Sequence, residues 1–393
     1  MEIGWIDFSK TDRDNVLSVL DLLGKGTLDE LGIASVRDAY SNLFFPGTST
    51  IQTRARYFFI VPYIFKDLYK KYEKKPIDYQ TVYDDFKKAE MLCAKKLLNE
   101  KNKDQKGIIG KRSLQNGGKW VQRAPSSIYW SGLKRYGIIT SDKSIDDIIE
   151  DISSKSNNDD LKGLGNKKDK NESFIENDIS FSVNVIYDEH WKNDMNIGLT
   201  PKEGQTLKEH IVSSCENTLF AYLLQEVPNE DLKKVVACKR FSDLKEVIDI
   251  PEKFWKDYDT AVAFSEFMFI LILIYNVCVL NIPNDKAKNY LYASNLKECS
   301  KIDLDSLRGL EDAGLRTFLS KSKEYMEKDD IKGLKELIIS REHDLKGSRA
   351  KSSQGTTFEP DDWFGSVLDY RFSNAKNIIS DILDSESNST GGE

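Results

Sequence analysis

A run of 20 residues, Ala261 to Leu280 (AVAFSEFMFILILIYNVCVL), constrains the fold more than any other segment because its only charged residue is Glu266. A stretch of this length can cross a bilayer, and it also suits the central helix of a large helical domain, which is apolar on every face. The internal charge, with no second apolar run and no basic flank, favours the buried helix. We therefore predict a core helix over 259–282 and no membrane partner.

Helical periodicity, interrupted by proline and glycine, runs through most of the remaining chain. After residue 200 the predicted helices are separated at Pro228, Pro251, Pro283 and Pro360, and the connections between them are short. An alternation typical of a strand occurs at 179–187. The sequence therefore predicts a mainly α, multi-helical protein in two parts, with few short strands.

A polar segment at 153–175, rich in Asn, Lys, Asp and Gly, is predicted to be a linker or a surface insertion between the two parts. At 393 residues the chain is long enough for two or three domains. The predicted organisation is a basic helical domain over 1–152, a helical domain over 176–385 and a disordered tail over 386–393.

Charge is distributed unevenly along the chain. The whole sequence has a formal net charge of -7, but residues 50–140 contain 20 Lys and Arg and 8 Asp and Glu, a net charge of +12. The same residues are rich in tyrosine and tryptophan. Basic side chains attract phosphate backbones and aromatic rings stack on unpaired bases, so the segment has the composition of a nucleic-acid-binding region. The alternative is that the rings form a core and the lysines face solvent.

The segment Leu43 to Tyr57 (LFFPGTSTIQTRARY) has the composition of an anion site. Its Pro-Gly pair predicts a turn, the hydroxyl residues after it predict a helix start, and Ser49 and Gln52 have capping-box spacing. Free N–H groups at a helix start bind phosphate well when guanidinium groups lie beside them. No Gly-Lys-Ser/Thr follows, so this is not a P-loop.

Two arginines follow this turn, and on a helix residues two apart point about 200° apart. We therefore expect one arginine to pair with an acid or to cap the loop, and the other to remain free for an anion. The candidate anion-binding residues are Thr48, Ser49, Arg54 and Arg56.

The stretch 101–140 has nine basic residues and one acid. Pro125 and Ser126-Ser127 predict a capped helix that ends before Gly137, and the isoleucines that follow predict a strand. This order is typical of the recognition helix and wing of a winged-helix module, here at 107–150, and also of many other α-rich folds. The apolar helix residues favour backbone-driven binding over base recognition. The candidate residues are Lys111, Arg112, Lys119, Arg123, Lys134 and Arg135.

No residue pattern indicates a particular reaction. Among the few histidines, His343 is a candidate general base beside Arg341, a candidate phosphate ligand, and a charged helix end is the alternative. No cysteine pair has metal-ligand spacing and no cofactor motif occurs, so we expect no metal and no cofactor. The five dispersed cysteines and the start MEIGWIDF, which is no signal peptide, predict reduced thiols in a cytoplasmic protein.

Four strings of this sequence resemble the successive landmarks of one bacterial family, which is catalogued as a domain of unknown function. They are GWIDFS (4–9), FFPGTSTIQTRARYFFIVPYIF (44–65), PSSIYWSGLKRYGI (125–138) and WFGSVLDYRF (363–372). The resemblance extends over nearly the whole chain and implies a shared fold. It assigns no catalytic residue, because the family supplies none to carry over. It also implies similarity to accessory proteins of bacterial defence or mobile islands.

These observations favour a nucleic-acid-binding accessory protein of a bacterial defence or DNA-processing system, which holds the phosphate backbone through its basic N-terminal region. DNA is expected rather than RNA, and other proteins of the same system are expected partners. One alternative is a protein-interaction scaffold without nucleic-acid binding. A second is a nuclease or other hydrolase that uses Arg341 and His343. A steep loss of affinity with rising salt distinguishes nucleic-acid binding from the scaffold.

Overall fold

The computed structural model describes residues 31–72, 77–102, 105–115, 117, 120–155, 182–193, 195–280, 285–354 and 368–387. Several predicted features lie outside these described residues. They are the landmark at 4–9, Lys119, most of the polar segment at 153–175, residues 363–367 and the end of the chain from 388.

Helices dominate the described chain, which confirms the mainly α, multi-helical fold class. In order they are α1 (Ala34–Phe44), α2 (Tyr57–Tyr72), α3 (Tyr79–Leu97), α4 (Lys111–Gln115), α5 (Pro125–Arg135), α6 (Ile145–Lys155), α7 (Pro201–Ser214), α8 (Leu219–Glu226), α9 (Asn229–Ala237), α10 (Leu244–Val247), α11 (Glu252–Ile274), α12 (Asp285–Ala293), α13 (Leu296–Cys299), α14 (Ala313–Glu327), α15 (Ile331–Lys346), α16 (Lys351–Gln354) and α17 (Asp369–Ser387). Two short strands, β1 (Ile139–Thr140) and β2 (Ser182–Val183), pair antiparallel.

The chain forms two compact units, each assembled from separate parts of the sequence. The smaller unit comprises Met1–Ala39 and Asp257–Val367, and the larger comprises Tyr40–Lys256 and Leu368–Glu393. The predicted boundary at 153–175 falls mostly on residues that are not described, so that division stays a prediction.

In the larger unit, α2 is the central helix. All nine residues from Tyr57 to Phe65 are buried, because apolar side chains surround this part of the helix on every side. Phe58 meets the ring of Tyr129 on α5 at 4.9 Å, and Phe65 stacks on Phe86 of α3 at 4.9 Å. Pro62 lies inside α2, where it removes one intrahelical hydrogen bond, and the helix continues on both sides of it.

The last described helix, α17, packs against α7 and α9 within the same unit. Its apolar face is buried, and Gly204 of α7 allows this close approach because a Cβ there would lie 1.9 Å from the hydroxyl of Ser385. The helix extends to Ser387, so it includes the first two residues of the predicted tail at 386–393. Residues near the end of the sequence are thereby placed beside residues 201–237.

In the smaller unit, the apolar run lies in α11 and in the π-helical turn Tyr275–Val279 that continues it. Leu271 and Leu273 are completely buried and Glu266 is exposed, as expected for a core helix that has its charge at an edge. Within the described residues this is the one helix that is long and apolar enough to cross a membrane, and 67% of its most apolar window is buried.

Candidate nucleic-acid interface

Residues 46–56 form a loop, so the prediction that a helix begins near Thr48 is wrong: α2 begins at Tyr57. Side chains satisfy backbone groups within the loop instead of starting a helix. The hydroxyl of Thr48 donates to the carbonyl of Phe45 at 2.7 Å, and the Gln52 side chain accepts from the N–H of Ser49 at 3.1 Å. Only this half of the predicted capping box forms, because the Ser49 hydroxyl has no hydrogen-bond partner.

Arg54 is paired with Asp381 of α17. Its Nε lies 2.9 Å from Oδ1 and its Nη2 lies 2.7 Å from the same oxygen, while Oδ2 accepts from the N–H of Ala55 at 2.7 Å. Burial raises the pKa of the Asp381 carboxyl and Arg54 opposes that effect. The carboxylate thus occupies the place where we expected an external phosphate.

Arg56 is paired as well. Its guanidinium contacts the carboxylate of Glu203, which also accepts from the hydroxyl of Tyr63 at 3.0 Å and from the N–H of Thr200 at 2.9 Å. Burial lowers the pKa of Arg56. Since both arginines have carboxylate partners, the prediction that one of them remains free is wrong. The partners come from α7 and α17, which are far along the chain, and no local pattern near Arg54 indicates them.

The 46–56 loop holds two basic segments in place. The N–H of Thr53 donates to the hydroxyl of Tyr129 on α5 at 2.8 Å, and the hydroxyl of Thr53 donates to the carbonyl of Gly107 at 2.7 Å. The Tyr129 hydroxyl in turn donates to the carbonyl of Arg54 at 2.8 Å. Next along the chain, the hydroxyl of Tyr57 accepts from the N–H of Ile109 at 2.8 Å. Helix α5 and the segment that leads to α4 are therefore fastened to the same loop.

Helix α5 has one buried face and one exposed face. Ile128, Tyr129 and Leu133 are buried. The exposed positions are Ser127, Ser131 and Arg135, which have the i, i+4, i+8 spacing of one helical face. Two small hydroxyl residues followed by a guanidinium leave this face open to a phosphate backbone.

The predicted basic residues differ in their exposure. Arg112 and Arg135 are exposed, and Arg123 and Lys134 are partly exposed; we name these four residues the basic surface. Arg135 also lies beside Cys215: burial raises the pKa of that thiol, and the Arg135 guanidinium opposes the effect. Lys111 is partly exposed and its amine donates to the carbonyl of Gln105 at 3.3 Å.

A buried carboxylate that the sequence analysis did not single out caps α5. The side chain of Glu90 on α3 is 2% exposed and accepts from the N–H of Ser126 at 2.8 Å. Ala124 stands at the N-cap and makes no side-chain hydrogen bond, so the predicted Ser126-Ser127 cap is wrong. Burial raises the pKa of Glu90 to about 7. Helix α3 contains three acids and four lysines, so no local pattern marks Glu90 in the sequence.

The strand after α5 does not form a wing of its own. Gly137, with a φ of +64°, leads into β1, in which Ile139 pairs with Val183 and Thr140 with Ser182 of β2. Helix α6 follows β1 directly. Within the described residues of 107–150 there is consequently no second strand to complete a hairpin.

The candidate catalytic pair is not brought together. Arg341 of α15 donates from Nε to the carbonyl of Leu31 at 3.1 Å and lies over the ring of Phe318, which fastens the chain near residue 31 to α15. His343 is exposed, two positions along the same helix, and so it projects from a different face. Among the described residues, no three His, Cys, Asp or Glu side chains are grouped as a metal site requires.

Fold and surface together define an α-helical protein whose basic surface lies on α5, just before α5, and on a short segment fastened to the same loop as α5. Residues 1–191 match a family model described as "Family of unknown function (DUF6361)". This match confirms the resemblance to an uncharacterised family over that part of the chain, which includes the first three of the four landmark strings. No curated protein and no solved structure matches the chain.

Proposed function

We propose that this protein binds the phosphate backbone of nucleic acid through the basic surface. The observation that carries the proposal is the pair of hydrogen bonds made by Thr53, one to Tyr129 of α5 and one to Gly107. Together they hold α5 and the 105–112 segment to one loop. A rigidly held set of cations loses little conformational entropy when it binds a phosphate backbone.

Binding through this surface is expected to be sequence-tolerant. Arginine and lysine contacts to phosphate position a protein on a duplex without reading bases, and the serines on the exposed face of α5 suit the same backbone contacts. The rings of Tyr57 and Tyr129 are buried in the core, so neither ring is available to stack on a base. The expected ligand is DNA rather than RNA.

The cellular setting of the proposal follows from the family resemblance. We propose an accessory role in a bacterial defence or DNA-processing system, in the cytoplasm, with other proteins of that system as partners. The five cysteines are all free thiols, which fits a reducing compartment. A winged-helix mode of docking would require a strand beyond those described at 107–150, and the proposal does not depend on it.

The test is fluorescence anisotropy with labelled duplex DNA, single-stranded DNA and RNA over a salt series. A variant with Arg112, Arg123 and Lys134 replaced by Glu is expected to lose binding at moderate salt. For the wild type, the logarithm of affinity should fall linearly with the logarithm of salt, with a slope of roughly -0.9 per phosphate contacted.

In the matched control, three exposed lysines are replaced by Glu. They are Lys321 of α14, Lys328 in the turn after it and Lys332 of α15. This control has the same net charge as the test variant and should bind like the wild type if the basic surface is the site. Equal losses in both variants would indicate a general charge effect. Absence of binding to any of the three polymers at low salt would overturn the proposal in favour of the scaffold.

A further inference from the structure

A cleft of 480 Å³ lies in the larger unit beside the 46–56 loop. One wall consists of residues 52–54 and 105–107, and the other belongs to α17. The volume falls within the range of small-molecule sites. The α17 wall residues have the i, i+3, i+4, i+7 spacing of one helical face, and they are Asn377, Ser380, Asp381 and Asp384.

Several polar groups in the cleft are already occupied by partners within the protein. Arg54 and Asp381 bind each other, and the Gln52 amide accepts from the N–H of Ser49 and donates to the carbonyl of Gly47. The buried ion pair has no net charge. A ligand therefore has to be recognised by the remaining side chains.

The remaining side chains present opposite charges on the two walls. Lys106, Asn377 and Asp384 are exposed, and within the described chain none of these three side chains makes a hydrogen bond. The Gln105 side chain accepts from Arg54 at 2.9 Å, which leaves its NH2 group to donate. One wall thus offers an ammonium and an amide N–H, and the other offers a carboxylate and an amide.

We propose that this cleft binds a sugar phosphate. The Lys106 ammonium binds the phosphate, Asp384 accepts hydrogen bonds from the sugar hydroxyls, and Asn377 lies two helical turns away on the same wall. No lining residue has an apolar or aromatic side chain, so the cleft offers no surface for stacking a base and selects a fully hydrophilic ligand. The inference is independent of the proposed nucleic-acid binding because it uses no residue of the basic surface.

The test is isothermal titration calorimetry on the full chain with ribose 5-phosphate. Inorganic phosphate and ribose serve as the two partial ligands, and each is expected to bind more weakly than ribose 5-phosphate. Lys106→Ala and Asp384→Asn should each weaken the affinity for ribose 5-phosphate by about tenfold, the scale of one charge-assisted hydrogen bond. Asp384→Asn should leave the affinity for inorganic phosphate unchanged, since only Lys106 contacts the phosphate.

The matched controls are Lys202→Ala and Asp249→Asn, two exposed positions of the same unit outside the cleft, and both should bind like the wild type. A 5′-phosphorylated trinucleotide distinguishes the two sources of this chemistry when it is titrated into the variant with Arg112, Arg123 and Lys134 replaced by Glu, in which the basic surface no longer binds it. Tighter binding of the trinucleotide identifies the 5′ end of a nucleic-acid strand as the ligand of the cleft, and tighter binding of ribose 5-phosphate identifies a free metabolite. Either result supports the proposal.

Three results would overturn the inference: no heat with ribose 5-phosphate at millimolar concentration, equal affinity in the wild type and both cleft variants, or inorganic phosphate binding as tightly as ribose 5-phosphate. The variant with Arg112, Arg123 and Lys134 replaced by Glu should retain ribose 5-phosphate binding. Failure of the nucleic-acid proposal and failure of the cleft proposal are thereby measured separately.

Discussion

The carboxylate of Asp381 holds the guanidinium of Arg54 across 327 residues of sequence, and it also accepts from the N–H of Ala55. Glu90 binds the N–H of Ser126 at the start of α5 in the same way. In the smaller unit, Glu342 accepts from the backbone N–H groups of residues 351 and 352 at the start of α16. In all three places a carboxylate of the protein itself stabilises N–H groups that would otherwise attract an external anion.

Replacing Asp381 by Ala should destabilise the larger unit by roughly 3 kcal/mol, because it leaves a largely enclosed guanidinium and the N–H of Ala55 without their acceptor. This figure is at the low end for such pairs because the Arg54 side chain is 19% exposed. Urea unfolding measures the change. The control is Asp384→Ala, one turn along α17 and exposed, which should stay within about 0.5 kcal/mol of the wild type. Equal unfolding free energies for the two variants would contradict the assignment.

Glu90 should make stability depend on pH. Burial raises its pKa from 4.5 to about 7, so the folded state holds this proton more tightly than the unfolded state does. The contribution of Glu90 to stability is therefore greatest below pH 4.5, decreases as the pH rises from 4.5 to 7, and is lost above 7. The total change is on the order of 3 kcal/mol.

Glu90→Gln keeps an acceptor for the N–H of Ser126 and removes the titration. As the pH rises from 5 to 8, the wild type should therefore lose unfolding free energy that the variant keeps. The variant should become more stable relative to the wild type over this range. Urea unfolding at several pH values measures it. Parallel pH profiles for the two proteins would show that Glu90 does not titrate in this range.

Gly132 of α5 should tolerate no side chain. A Cβ at this position would lie 2.6 Å from the carbonyl oxygen of Gly47 and 2.9 Å from the ring of Phe58. Gly132→Ala is expected to cost roughly 1–3 kcal/mol, since both neighbours are held by the core. Ser131→Ala, on the exposed face of the same helix, is the control and should leave the thermal midpoint nearly unchanged. A Gly132→Ala protein as stable as this control would argue against the close contact of α5 with the loop.

Leu271→Ala should cost roughly 2–5 kcal/mol, because the side chain is completely buried in the smaller unit and its removal leaves a cavity. Leu345→Ala is the matched control: this leucine is 42% exposed and its loss should cost far less. Chemical denaturation of both variants gives the comparison. Recovery of the intact wild-type protein in the membrane fraction would contradict the core assignment.

The sequence alone determined the features that depend on short-range pattern. The apolar run at 261–280 predicted a buried helix, the Pro-Gly pair at 46–47 predicted a turn, and residues 125–135 predicted a helix closed by Gly137. Periodicity and turn chemistry act within a few residues, so they are visible in the sequence. The resemblance to an uncharacterised family, which the model match over residues 1–191 bears out, was equally visible in the landmark strings.

Only the tertiary structure decided which charges are available. Arg54 and Arg56 have the same local setting as a phosphate site, yet carboxylates 327 and 147 residues away neutralise them. The partner of β1 and the capping of α5 by Glu90 were likewise decided by distant residues. Ion pairs depend on distance in space and on burial, and both are set by how the helices pack against one another rather than by the residues next in the chain.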